Sequence, residues 1–357
     1  MRNAYLTFKA AGMRVFYHLS SYMSHRISGL EYVACLDSLG IEVTREPREI
    51  PSCDAAILHD DPLTYHALFD RNPSLRDVRG IACCVWENER LPEAYLAPLS
   101  LVNEIWTPSH FSAHSMTQHF SNVSVLPHVV RRMPISADDM AFARSAIRAE
   151  SDAFRFFSIV DAINPRKNIE TLLGAFAFVR KRAKRPVQLV LKQYRCNFDL
   201  QAVDGVVNVE GDLSPGQMGA LHVLSDAYVS AHHAEGWGLG LSEAMAYGKP
   251  VIATGYSGNM DFMDTDNSYP IPYRMTPVSA RMRELLPLFS EGMLWADVDR
   301  QRLADTMKWV SEHRLPPELP GRAAAIVSRF GPKKIAGRLR ELLMPGQPST
   351  TRAGDTG

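Results

Sequence analysis

Two short apolar runs, Ala227–Ser230 and Val251–Thr254, bracket a glycine-rich segment, Glu235-Gly236-Trp237-Gly238, and a helical stretch from Gly240 to Tyr247. Strand, helix and strand packed this closely leave the chain little freedom, because such a crossover joins neighbouring strands of a parallel sheet. Gly248 stops the helix and Pro250 keeps it stopped, so the second strand begins at once. The glycines fall where the first strand ends and the helix starts, the position at which open α/β sheets bind ligands. Gly236, Gly238 and Gly240 permit close backbone approach, and amides at a helix N-terminus favour an anion, a phosphate above all. Glu235 and Glu243 flank this anion site. A carboxylate repels a phosphate, so these two are expected to accept from hydroxyls of the kind sugars and riboses carry.

Strand-length apolar runs alternate with helical stretches along the rest of the chain. Met13–Leu19, Ile41–Thr44, Ala55–His59, Ile81–Trp86, Glu104–Thr107 and Val123–Leu126 read as strands, with helices over Gly29–Leu39 and Ser109–Phe120 between them. A second series opens at Phe154–Val160. It continues through a helix at Asn168–Arg182, strands at Gln188–Lys192 and Val206–Val209, and a helix at Pro215–Leu224. Arg131–Glu150 reads as a linker plus helix, and Pro332–Leu343 as an amphipathic helix. A chain of 357 residues accommodates two such α/β domains, with strand ends facing across a cleft. The expected division is 1–133, 134–325, a C-terminal helix within 326–344 that returns to the first domain, and a polar tail at 345–357 without fixed structure.

Lys plus Arg and Asp plus Glu both number 39, which removes the electrostatic footprint of a nucleic-acid binder. Five cysteines do not make a disulfide framework in so long a chain, and the neighbours Cys83 and Cys84 read as buried thiols of a reducing compartment. The N-terminus lacks the apolar run of a signal peptide, and no segment approaches the length of a membrane span. A cytoplasmic protein is expected, at most peripheral at the inner face of the membrane. The dense basic run Arg180–Arg185 ends a helix, where cations complement the dipole; membrane contact is its other reading.

The segment from Glu235 through Ala246, followed by Gly248-Lys249-Pro250-Val251-Ile252-Ala253-Thr254, resembles the retaining glycosyltransferases of family 4, which have the GT-B fold of two facing Rossmann-like domains. Asn164-Pro165-Arg166-Lys167-Asn168, Glu104-Ile105-Trp106-Thr107-Pro108-Ser109, Val125-Leu126-Pro127-His128 and Trp295-Ala296-Asp297 sit where that family has matching pieces. Trp86-Glu87 with Leu91-Pro92, and Ser257-Gly258-Asn259 with Asp261-Phe262, resemble a branch that builds bacterial surface polysaccharides, mannosyl- and rhamnosyltransferases among them. The resemblance implies that Glu243 binds the ribose of a nucleotide and Glu235 the donor sugar. It implies further that the backbone of Gly236, Trp237, Gly238 and Leu239 lines the diphosphate, and that Lys167 with Arg166 neutralises it as it leaves. No cofactor and no metal are implied beyond the nucleotide diphosphate sugar itself. The acceptor would be a saccharide or lipid-linked saccharide held by the first domain.

Three departures from the family pattern stand out. The arginine that the family has six positions before the lysine is Asp161 here, with Arg166 the cation able to replace it. The family's glycine pair in the first domain is reduced to Ser28-Gly29, leaving Gly29 as the candidate phosphate contact. A family histidine near the end of the fourth strand is replaced by Trp86-Glu87, so Glu87 is expected to face the cleft. Two other readings stay open: a sugar-nucleotide-binding protein of the same fold with impaired catalysis, and a nucleotide-sugar epimerase or hydrolase. His110 and His114 lack the glutamate of a zinc helix, and Asp264-Thr265-Asp266 reads as a turn rather than a metal motif.

Overall fold

The computed structural model describes residues 12–45, 50, 52–148, 152–194 and 203–346; the tail expected to lack structure lies, from residue 347 onward, outside them. The first six strands are β1 (Arg14–Leu19), β2 (Glu42–Thr44), β3 (Ala55–His59), β4 (Arg79–Cys83), β5 (Glu104–Thr107) and β6 (Val123–Val125). They form one parallel sheet in the order β2-β1-β3-β4-β5-β6. Its helices are α1 (Met23–Ser38), α2 (Tyr65–Arg71), α3 (Glu93–Leu99) and α4 (His110–Thr117). β3 is buried along its whole length, as a central parallel strand covered on both faces must be.

After α5 (Ala137–Ala146) comes the second sheet, with β7 (Phe154–Val160), α6 (Ile169–Arg182), β8 (Val187–Gln193), β9 (Val206–Val209), α7 (Pro215–Leu224), β10 (Ala227–Ser230), α8 (Leu239–Ala246), β11 (Val251–Thr254) and β12 (Tyr269–Ile271). Its order is β12-β11-β10-β7-β8-β9, again parallel throughout. Strand order reverses between β7 and β10 here, and between β1 and β3 in the first sheet. Each reversal opens a crevice beyond the strand C-termini.

The chain then adds an antiparallel pair, β13 (Tyr273–Pro277) and β14 (Leu294–Val298), with α9 (Ala280–Leu285) between them. Val278, Met282, Leu288, Phe289, Met293 and Trp295 from this stretch share a core with Trp86, Tyr95 and Leu99, tying the second half of the chain to the first sheet. Four helices close the chain: α10 (Arg300–Glu312), α11 (Leu319–Ala324), α12 (Ile326–Phe330) and α13 (Pro332–Leu343). Ile335 and Leu339 of α13 pack with Tyr32 and Leu36 of α1, and Arg79 donates to the carbonyls of Leu342 and Leu343, closing the helix end with a cation.

Two of the boundaries that differ from the sequence reading bear on the site. The fourth strand ends at Cys83 rather than Trp86: the Cys84 amide still bonds to the Trp106 carbonyl, but Trp86 turns into the shared core against Phe289, ring centroids 4.8 Å apart. The first helix begins at Met23 and not at Gly29. The expected polar loop is helical there, and the Ser28 hydroxyl is satisfied within the helix by donating to the carbonyls of Ser24 and His25. β13 was invisible to pattern because most of its side chains are exposed, so no apolar alternation marks it.

Candidate active site

Arg166 and Lys167 lie on a single 3-10 turn, Pro165–Lys167, directly after β7. Asn164 starts the turn by accepting from the Arg166 amide, and Asn168 ends it in the left-handed region, φ 50°, before α6 begins. Glu235 arrives from the next strand across the reversal, β10. Lys167 Nζ lies 2.6 Å from Glu235 Oε1, and Arg166 Nη1 lies 3.1 Å from Oε2 while also donating to the Ala234 carbonyl. Arg166 Nη2 reaches over to Glu87 Oε1, 3.0 Å away, which follows β4 of the first sheet. One guanidinium therefore bridges carboxylates from both sheets.

Arg166 and Glu235 are buried, at 7% and 8% exposure, so their charges survive only because they are mutually compensated. Burial pushes the Glu235 carboxyl up, but Lys167 and then Arg166 outweigh it and hold it at about 2. Burial likewise works against the Arg166 charge, and Glu87 and Glu235 more than offset it, so its affinity for the proton rises.

Glu235 is fixed by its backbone as well. Its amide donates to Ser257 Oγ at 2.7 Å, and its carbonyl accepts from the Gly258 amide at 2.9 Å. Ser257 sits at φ 77°, and a side chain at Gly258 would collide with the Gly236 carbonyl. The sequence reading used Ser257-Gly258-Asn259 only as a sign of resemblance. Its work is to clamp the loop carrying Glu235, and the non-glycine left-handed residue beside an obligatory glycine is signalled only by the spacing Ser-Gly-Asn after a buried strand.

Gly236, Gly238 and Leu239 form the approach to α8, with Gly238 at φ 94° immediately before it. The Gly236 carbonyl accepts from Ser109 Oγ of the first half at 2.6 Å, and a side chain there would strike Val85. Trp237 is different from its neighbours. Its ring is buried against Phe262 and Phe330, and its Nε1 donates to Ser242 Oγ, so it offers the loop only its backbone. Glu243 stands apart from the Glu235 cluster. It lines a cleft between α1 and α7 with Glu31, Lys192, Tyr194, Leu239 and Tyr247.

Gly29 is not in this arrangement. It lies inside α1, where its amide belongs to the helix ladder and offers no free donor to a phosphate. An added Cβ would come within 2.6 Å of Leu19 and 3.1 Å of the His59 ring, so the glycine serves close packing of α1 on the sheet. Glu87 pairs with Arg166 rather than with nearby Arg90. His232 bonds to Ser230 and Asn259, and His233 to the Ala296 carbonyl, stacked on Trp295; both are absorbed by the protein. Asp161 is buried at 5% exposure. His110 bonds to Asp261, and no three metal-binding side chains gather among the described residues. Nor is any described helix long and apolar enough to cross a membrane.

Residues 143–268 match the model of the family described as glycosyl transferases group 1. The match contains Arg166, Lys167, Glu235 and Glu243. No curated protein matches the chain by sequence. Among solved structures, sucrose-phosphate synthase from Thermosynechococcus elongatus superposes with a TM-score of 0.63 at 14% identity, over 93% of this chain and 98% of that one. HepE of Anabaena, in complex with UDP and glucose, gives 0.60 at 14% identity, over 93% and 99%. The pneumococcal O-GlcNAc transferase GtfA, in complex with UDP and GlcNAc, gives 0.57 at 16%, over 81% of this chain and 57% of that one. The fold is GT-B. Within it, the matched domain is the second sheet, and Glu87 and Ser109 are what the first sheet contributes to its glycine loop and charge cluster.

Proposed function

We propose that the protein is a retaining glycosyltransferase, transferring a hexosyl group from a nucleotide diphosphate sugar to a saccharide or lipid-linked saccharide in cell-surface polysaccharide synthesis. One observation carries the reading. At the reversal of the second sheet, Arg166 and Lys167 from one strand end and Glu235 from the next converge beside the glycines that precede α8. This is the arrangement that departure of a diphosphate requires. Breaking the anomeric C–O bond puts negative charge on the leaving phosphate, and fixed cations with backbone N–H donors stabilise it without a metal.

The pairing also gives a sequence of events. Before donor binds, Lys167 and Arg166 neutralise Glu235. A diphosphate beside the loop competes for Lys167, and Glu235 is thereby freed to accept from sugar hydroxyls. The acceptor hydroxyl attacks the anomeric carbon from the face the phosphate leaves. Its proton passes to the departing phosphate oxygen, so configuration is retained and no separate base is needed. The nucleoside occupies the cleft beside Glu243, and the acceptor enters from the first sheet. Glu87 holds Arg166 toward that side.

The test is transfer from radiolabelled UDP- and GDP-hexoses to saccharide and lipid-linked saccharide acceptors, with NMR assignment of the product anomer. Retained configuration and activity in EDTA are expected. Inversion, or nucleotide release as fast without acceptor as with it, would contradict the proposal. Donor binding without turnover would favour the impaired relative that Asp161 raises.

A further inference from the structure

His222 of α7 is buried at 2% exposure, yet neither of its ring nitrogens hydrogen-bonds to any described residue. A buried ring whose nitrogens have no protein partner calls for an account. The ring is held on three sides. It stacks on Tyr247 at 14° with centroids 5.6 Å apart, on Tyr228 at 5.9 Å, and meets the edge of Phe157 at 4.9 Å. Tyr247 is itself fixed, since its hydroxyl accepts from the Met133 amide, and Gly219 leaves it the room it needs. The remaining edge of His222 points into the cleft between α1 and α7. There its Nε2 lies 3.6 Å from Glu243 Oε2.

We infer that His222 is a positioning residue for Glu243, turning its carboxylate to accept from the two ribose hydroxyls of the donor nucleotide. The inference rests on the ribose reading of Glu243 given above. Glu243 is 38% exposed, and the Nε2 edge of His222 faces its carboxylate. A carboxylate that must accept two vicinal O–H groups gains from a third donor fixing its plane. In the tautomer with Nε2–H, His222 donates to Oε2 and leaves the other lone pairs for the ribose. The present separation is just beyond hydrogen-bond length and closes when the donor draws Glu243 inward. The clamp of three aromatic rings holds the imidazole where only one of its edges can act.

Calorimetric titration of the full chain with UDP, GDP and their 2′,3′-dideoxy forms tests this. With the diphosphate that binds, His222→Phe keeps the stacking and is expected to weaken binding about tenfold while leaving the dideoxy form unaffected. Glu243→Ala gives the same pattern, and the double substitution is no weaker than Glu243→Ala alone. His222→Gln, with an amide donor of similar reach, restores affinity and covers the case in which His222→Phe folds poorly. Equal weakening of ribo and dideoxy forms, or additive effects, would mean that the ring merely packs and would overturn the inference. Failure of the wild type to bind either ribonucleotide overturns the nucleotide reading first, and this inference with it.

Discussion

The two sheets open the same kind of crevice and fill it in opposite ways. At the β7/β10 reversal stand Arg166, Lys167 and Glu235, charged and in contact. At the β1/β3 reversal stands a neutral plug. His59, 1% exposed, bonds to the Tyr17 hydroxyl at 2.8 Å and faces Ser28, while Tyr32 bonds to His128 at 2.9 Å and Gly29 lets α1 close over them. Burial pushes both histidines down, His59 well below its ordinary range and His128 to about 3, so neither carries charge at neutral pH. A crevice lined by balanced charge can exchange one ionic partner for another. One sealed by neutral hydrogen-bonded rings holds a helix in place.

Substitutions separate the two. Lys167→Ala is expected to lower kcat by about 10²–10³-fold, the usual loss when a fixed donor to developing charge is removed, and to lower the melting temperature as well, because buried Glu235 loses its 2.6 Å partner. Loss of stability with kcat unchanged in the folded protein would make Lys167 a structural ion pair alone. In the neutral crevice the effect should fall on folding. Gly29→Ala gains about 1 kcal/mol of helix propensity but overpacks against Leu19 and the hydrogen-bonded His59 ring, at about 1–3 kcal/mol. Chemical denaturation should therefore show a modest net loss, and a stabilised variant would mean that the plug is looser than the geometry shows.

The pH dependence distinguishes the crevices by window. Glu235 is held below its unfolded value of 4.5, so its contribution is present above that pH and is lost as pH falls toward about 2. His128 is also depressed, from 6.5 to about 3. The unfolded chain binds the proton first, so this stability is present above 6.5 and drains away as pH falls from there. Melting curves from pH 7 to 4 should decline, and His128→Gln should flatten the upper part of that decline while Glu235→Gln leaves it in place.

The same contrast explains what could be read in advance. The charged crevice is written in short spacings: Asn-Pro-Arg-Lys-Asn after a strand, and two glutamates with seven residues between them around a glycine loop. Each piece comes from one continuous turn, and the parallel topology then brings the turns together. The neutral crevice gathers Tyr17, Ser28, Tyr32, His59 and His128 from four separate segments, and no spacing rule joins them. Gly29 misled for that reason. A glycine beside a serine looks like a phosphate loop until the buried histidine it accommodates is known. Trp237 shows a subtler limit, because a residue inside the motif sends its side chain to the core while its backbone stays in the loop. His222 carried no signal at all, since its meaning lies in what surrounds it.

The proposed reaction depends on the charged crevice exchanging its internal carboxylate for a diphosphate. Calorimetric titration of wild type and Lys167→Ala with UDP and GDP addresses it directly. Saturable binding of one nucleoside diphosphate, weakened at least tenfold by the substitution and further weakened by rising salt, is the predicted result. Equal affinity in both proteins, or no binding of either nucleotide, would contradict it.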